Sequence, residues 1–303
     1  MDYGLHTMKL AAIDIGSNAA RLLISEASPN SSGRMDFTKV NLVRVPLRLG
    51  FDVFSNGAIS EKRADHLLST IQAYKLLLEV YEVRYLKACA TSAMRDAVNG
   101  PELIQRVKQQ TGVDIRIITG QEEAAYIYEN HVAEHMDKTR SYLYIDVGGG
   151  STELTLFSNN RLLFKESFNI GTIRLLQQQV TDAHWQHMKE TLKHQLKGLG
   201  QVTAIGSGGN INKVFSLSKR KEGKPLSLDL LKDYYKEFSS FSVEERIHLY
   251  NLREDRADVI VPALQIYVNV MRWADADEIY VPKIGLADGL IQALYAEIME
   301  NRV

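Results

Sequence analysis

One cysteine, six prolines and no long apolar run stand among the 303 residues of this chain. The lone Cys89 excludes an intramolecular disulfide and fits a reducing compartment, so a cytoplasmic setting is expected. No stretch approaches the roughly 20 apolar residues that span a bilayer. Met1–Thr7 carries Asp2 and Gly4 instead of a signal-peptide pattern, and no membrane association is expected. An excess of one charge is missing too: 36 Lys and Arg face 37 Asp and Glu, a formal net charge of −1. Such a chain has no broad basic surface, so nucleic acid is not an expected partner and any polyanion must be gripped locally. The composition, 45% hydrophobic and 24% charged, is that of a globular protein long enough for two cores.

What is there is a motif written twice. Ala12-Ile13-Asp14-Ile15-Gly16-Ser17-Asn18 and Tyr144-Ile145-Asp146-Val147-Gly148-Gly149-Gly150-Ser151-Thr152-Glu153 each run from an apolar strand through Asp-x-Gly into small polar residues. The surrounding order repeats as well. Leu10–Ile15, Arg21–Glu26 and Met35–Val45 read as three strands, with a turn at residues 29–33. A long amphipathic helix behind Ser60 follows, then a strand at Tyr85–Ala90, a helix at Pro101–Gln110, a strand at Asp114–Thr119 and a helix at Gln121–His135. Later, Ser141–Val147, Glu153–Phe157 and Leu162–Phe168 again read as three strands, followed by a helix through Trp185–Leu199 and a strand at Val202–Ile205. Helices over 228–274, a strand at Glu278–Val281 and a helix at Leu286–Glu300 complete the pattern. Three antiparallel strands and then alternating helices and strands define a ribonuclease-H-like unit. Two of them predict an α/β protein of the actin-like ATPase superfamily with an interdomain cleft, domains 1–135 and 136–303, and a final helix free to pack back on the first.

The loops carry the chemistry. Gly16, Ser17 and Asn18, followed by Arg21, offer main-chain N–H groups, side-chain donors and a cation to a phosphate, although an ordinary hairpin has the same residues. Gly148, Gly149 and Gly150 weaken the strands they join, which points with Ser151 and Thr152 to a phosphate cradle. Asp14 and Asp146 end buried-type strands, where a carboxylate is costly unless paired or on a metal. With Glu153 they are candidate ligands for a hard cation such as Mg²⁺. Gly206, Ser207, Gly208, Gly209 and Asn210 lead into a helix N-terminus, a place that attracts anions and equally a place for a tight turn. Thr91, Ser92 and Arg95 follow a strand, and Arg95 is either a bidentate phosphate contact or a surface cation; Arg48 has the same two readings. Glu122 and Glu123 open a helix, where they favour its dipole; a carboxylate there could also act as a general base on water. Spacing leaves that choice open.

Taken in order, residues 12–18, 90–99 (A-T-S-A-M-R-D-A-V-N), 118–124 (I-T-G-Q-E-E-A), 145–154, 170–175 (I-G-T-I-R-L) and 205–211 (I-G-S-G-G-N-I) resemble the exopolyphosphatase / guanosine pentaphosphate phosphatase family. The resemblance implies two actin-like domains and Mg²⁺-dependent hydrolysis of a terminal phosphoanhydride, with inorganic polyphosphate or guanosine pentaphosphate as substrate. It assigns the catalytic carboxylate to Glu123, metal ligation to Asp146 and Glu153, and phosphate contacts to the three glycine loops and Arg95. Three departures stand out. Ala19 replaces a common Ser, Ala287 replaces a common Arg, and the chain ends at Val303 where long members continue into a helical region, so a short member acting on a short substrate is expected. A homodimer is one expected assembly. The rival readings are an actin-like kinase and a non-catalytic sensor of polyphosphate or nucleotide.

Overall fold

The strand that carries Asp14 is the middle of its sheet, and its residues Leu10, Ala11, Ala12 and Ile13 have no exposed surface. A strand buried on both faces reads as a continuous apolar run because it has no solvent side to alternate with. The computed structural model describes residues 7–31, 34–128, 140–159 and 161–300. Contacts divide the chain into two units, residues 1–118 with 286–303, and residues 119–285. The boundary expected at 135/136 lies outside the described residues, as does the end of the helix expected to reach His135. Its described part is Gly120–Tyr128.

In the first unit, β1 (Met8–Ile15), β2 (Ala20–Pro29), β3 (Met35–Val45), β4 (Tyr85–Ala90) and β5 (Arg116–Ile117) form a sheet of order β3-β2-β1-β4-β5. β1, β2 and β3 are antiparallel neighbours, while β4 and β5 join in parallel. The last helix, Leu286–Glu300, packs on β1, β2 and β4 of this unit. Its outer contacts are an edge-on ring pair between Phe37 and Tyr295 (5.4 Å between centroids), an ion pair between Lys39 and Asp288 (2.6 Å) and another between Lys87 and Glu297.

The second unit repeats this plan. β6 (Ser141–Val147), β7 (Thr152–Ser158), β8 (Arg161–Phe168), β9 (Val202–Ser207), β10 (Leu226–Ser227) and β11 (Glu278–Tyr280) follow the order β10-β11-β9-β6-β7-β8. β6, β7 and β8 are antiparallel, and β9 and β11 extend the sheet in parallel. The added edge strand β10 has two residues, too few for an apolar pattern. The helix Ile260–Trp273 buries Ile260, Ala263, Leu264, Ile266, Tyr267, Val270 and Met271 in this unit's core. Each such large apolar side chain contributes about 1.5–3 kcal/mol on burial. No helix among the described residues is long and apolar enough to cross a membrane.

Two short helices, Leu49–Asn56 and Thr172–Leu176, follow the third strand of each unit, where sequence pattern indicated none. The first is tied to its neighbour by Asp52. Its carboxylate accepts from Ser60 N (3.0 Å) and Ser60 Oγ (2.5 Å) and pairs with Arg63 Nε at 2.7 Å. Ser60 thus precedes the helix Glu61–Val80, but its hydroxyl serves Asp52 instead of capping. Burial pushes the Asp52 pKa up, yet the Ser60 hydrogen bonds and Arg63 outweigh it and leave the pKa below its ordinary 3.8. A depressed carboxylate stabilises the fold above its unfolded pKa, and that stability is lost as pH falls through the folded value. Asp52→Asn should therefore lower the denaturant midpoint at pH 7, with the gap to wild type closing as the pH falls below 3.8. A gap that does not change with pH would contradict this.

Candidate functional site

Both Asp-x-Gly motifs form the same hairpin. In the first unit Gly16 N donates to Ala19 O (3.0 Å), and in the second Gly148 N donates to Ser151 O (2.9 Å). The loop carbonyls are then held from outside by the short helix that follows. Thr172 N bonds Gly148 O (3.0 Å), Ile173 N bonds Gly149 O (2.8 Å), and the Arg174 side chain bonds Gly150 O through Nε (2.7 Å). In a planar trans peptide the C=O and the following N–H point in opposite directions. Holding these three carbonyls toward Thr172–Leu176 therefore turns the N–H groups of Gly149, Gly150 and Ser151 to the other side. Consecutive N–H groups on one side make an anion-binding concavity. The approach is close: a Cβ at Gly171 would lie 2.4 Å from Gly149 O. The first unit does the same through Gly50 N to Ser17 O (2.8 Å) and Arg48 N to Asn18 O (2.9 Å), which turns out the N–H groups of Asn18 and Ala19.

The two hairpins differ in one charge. Across the strand pair Asp14 faces Arg21, while Asp146 faces Glu153 at the equivalent position. Arg21 pairs with Asp14 at 2.6 Å, so the Asp14 carboxylate, 3% exposed, is neutralised within its own hairpin. Asp14, expected as a metal ligand, has Arg21 as its ion-pair partner. Arg21, expected to contact phosphate, has Asp14 as its partner.

In the second unit the like charges accumulate. Glu123, Asp146 and Glu153 each place a carboxylate oxygen such that all lie within 4.8 Å of one another. Glu123 and Glu153 are buried, at 8% and 2% exposure. Glu123 reaches the cluster from the first turn of the helix Gly120–Tyr128, where its N–H bonds Thr119 O at 3.0 Å. Glu122 instead caps locally, accepting from Thr119 N (2.8 Å) and Thr119 Oγ1 (3.0 Å), which separates two neighbours that spacing could not. Two hydroxyls aim the other carboxylates: Ser207 Oγ donates to Asp146 Oδ1 (2.6 Å) and Ser167 Oγ to Glu153 Oε1 (2.7 Å). Ionised carboxylates this close repel strongly when partly desolvated. A hard divalent cation, which prefers carboxylate oxygen, fits this donor set.

The third glycine loop divides into structural and site residues. Gly206 lies inside β9 opposite Ile145, where an added Cβ would meet the Ile279 side chain at 2.8 Å. Gly206, expected at a phosphate, thus has a packing constraint of its own. Gly208 has φ +106, and a Cβ there would stand 3.2 Å from Asp146 Oδ1. Gly208→Ala should cost on the order of 1–3 kcal/mol in backbone strain, read as a lower unfolding midpoint; an unchanged midpoint would contradict the assignment. Gly209 O accepts from Arg256, which turns the Asn210 N–H the opposite way. Tyr267 donates to Ser207 O, and burial, with the Asp146 charge beside it, pushes its phenol pKa well above 10.0.

Other expected contacts resolve similarly. Thr152 Oγ1, expected at a phosphate, donates to Ile170 O at 2.6 Å. Ser17 shares a hydrogen bond with Ser92 at 2.8 Å, both buried, which ties the first hairpin to the helix Ser92–Asp96. Arg95, on that helix, donates to Ile118 O at 2.8 Å and lies 3.8 Å from Asp96. Gly16, Ser17, Asn18 and Arg95 belong to the first unit, and Gly148–Ser151, Ser207–Asn210 and the three carboxylates to the second. Sequence reasoning missed Ser167, Arg174, Arg256 and Tyr267. Only Arg174 stood inside a recognised motif, at 170–175.

The family model described as the Ppx/GppA phosphatase family matches residues 28–297. A solved Ppx/GppA protein from Aquifex aeolicus superposes with TM-score 0.75 at 26% identity, covering 98% of this chain and 100% of that one. Among curated relatives, the bifunctional 3-dehydroquinate synthase/phosphatase of Fusobacterium nucleatum is 26% identical over 96% of this chain and 47% of its own length. Exopolyphosphatase 1 of Mycobacterium tuberculosis is 29% identical over 58% of this chain and 50% of its own. The chain thus spans about half the length of these two relatives. The strand order of both units and the match over residues 28–297 agree: the chain belongs to the Ppx/GppA phosphatase family.

Proposed function

We propose that this chain hydrolyses a terminal phosphoanhydride bond at the second unit's glycine loop, with inorganic polyphosphate or guanosine pentaphosphate as substrate. The observation that carries the reading is the cluster of Glu123, Asp146 and Glu153 within 4.8 Å. Asp146 and Glu153 would hold a divalent cation, Mg²⁺ by the donor chemistry; when bound it offsets charge on the phosphoryl oxygens. The N–H groups of Gly149, Gly150 and Ser151 receive the oxygens of the terminal phosphoryl group. Glu123 accepts a hydrogen bond from a water and takes its proton as the water oxygen bonds to phosphorus. The P–O bond to the next phosphate breaks, and the electron pair leaves on that oxygen. Phosphoryl transfer needs positioning and electrostatics more than covalent help from the protein, and fixed amides beside a carboxylate supply both.

The test is release of inorganic phosphate from short polyphosphate and from guanosine pentaphosphate, with Mg²⁺ and with chelator. Mg²⁺-dependent release from either supports the reading. Binding without release from either would overturn it in favour of a sensor, and transfer to an organic acceptor would favour a kinase.

A further inference from the structure

The three carbonyls of the second glycine loop are not held alike. Gly148 O and Gly149 O accept main-chain N–H groups, from Thr172 and Ile173, but Gly150 O accepts the Arg174 side chain at 2.7 Å. In the first unit the matching carbonyl, Asn18 O, is held by a main-chain group, Arg48 N at 2.9 Å. In the second unit, therefore, a side chain holds the third loop peptide where a main-chain N–H holds its counterpart in the first. That peptide joins Gly150 to Ser151, and glycine on its N-terminal side lets it rotate widely once its carbonyl is released.

We propose that Arg174 is a positioning residue. Its guanidinium holds the Gly150 carbonyl and thereby aims the Ser151 N–H at the bound phosphoryl oxygen. The inference rests on the reading that this loop receives the phosphoryl group. Arg174 acts through the loop rather than on the reacting atoms, and its geometry matters more than its charge, because the anchor is the planar Nε–H donor. A lysine keeps the charge but presents its donors from a flexible stem.

The experiment compares Arg174→Ala and Arg174→Lys with wild type by kcat and KM for phosphate release, Mn²⁺ affinity and thermal midpoint. Both variants should lose about 10–100-fold in kcat with Mn²⁺ affinity unchanged. Added guanidinium should restore part of the Ala variant's rate and none of the Lys variant's. Wild-type kcat in the Ala variant, or full activity in the Lys variant, would overturn the proposal; if the Ala variant does not fold, the Lys variant decides. If wild type releases no phosphate from any substrate, the hydrolase reading fails by itself. The inference is then read from calorimetric titration with inorganic phosphate, where weaker binding by the Lys variant supports it and equal binding overturns it.

Discussion

Glu123→Gln is expected to lower phosphate release by about 10²–10⁴-fold, the range for a positioned general base. The amide keeps the shape of the carboxylate but cannot take a proton. Glu123 is buried in the first turn of its helix, with its N–H already bonded to Thr119 O. The substitution therefore removes chemistry without removing a packing contact. Steady-state phosphate release and a Mn²⁺ titration on the same sample separate two roles for this side chain. Lost rate with cation affinity kept within a few-fold identifies a base. Rate and affinity lost together would make Glu123 a third cation ligand, which its place in the 4.8 Å cluster also permits. Unchanged rate would remove it from the mechanism.

Glu153→Gln should do something less usual: make the cation-free protein more stable. Glu153 faces Asp146 across the β6–β7 pair and shares the cluster with Glu123. Two ionised carboxylates about 5 Å apart repel by on the order of 3 kcal/mol at an effective dielectric of about 20, which sets the scale of the relief. Ser167 Oγ can still donate to the amide oxygen that replaces the Glu153 carboxylate, so the local hydrogen bond survives. In chelator the thermal midpoint should rise by several degrees, since about 1 kcal/mol moves a unit of this size by roughly 2–4 °C. Divalent cation should then stabilise wild type and leave the variant unmoved. A variant that is less stable in chelator, or equally stabilised by cation, would contradict the account.

These effects were partly legible in the sequence. The antiparallel strands of both units announced themselves because each is a short apolar or alternating run, and the doubled Asp-x-Gly marked where two of them end. Strand β5 shrank from an expected Asp114–Thr119 to Arg116–Ile117, since edge residues pair little whatever their propensity. The helices Leu49–Asn56 and Thr172–Leu176 were invisible. One starts from a left-handed Arg48 (φ 53) and the other has only five residues, too few for helical periodicity. They matter most to the loops, because main-chain N–H groups at their starts hold the loop carbonyls. Composition also could not tell Asp14 from Asp146. The difference lies in the residue seven positions on, Arg21 in one copy and Glu153 in the other, and only the strand register makes those partners. Thr152 and Gly206 read as loop chemistry, and each also has a contact within the fold that only its neighbours reveal.

On the proposed function, Asp146 and Glu153 hold one divalent cation and Glu123 stands beside it as the base. Calorimetric titration of the purified chain with Mn²⁺, repeated in excess Mg²⁺ and with Glu153→Gln, tests it most directly. Wild type should show a single saturable site, displaced by Mg²⁺ and absent from the variant. No saturable binding in wild type, or the same affinity in Glu153→Gln, would contradict it.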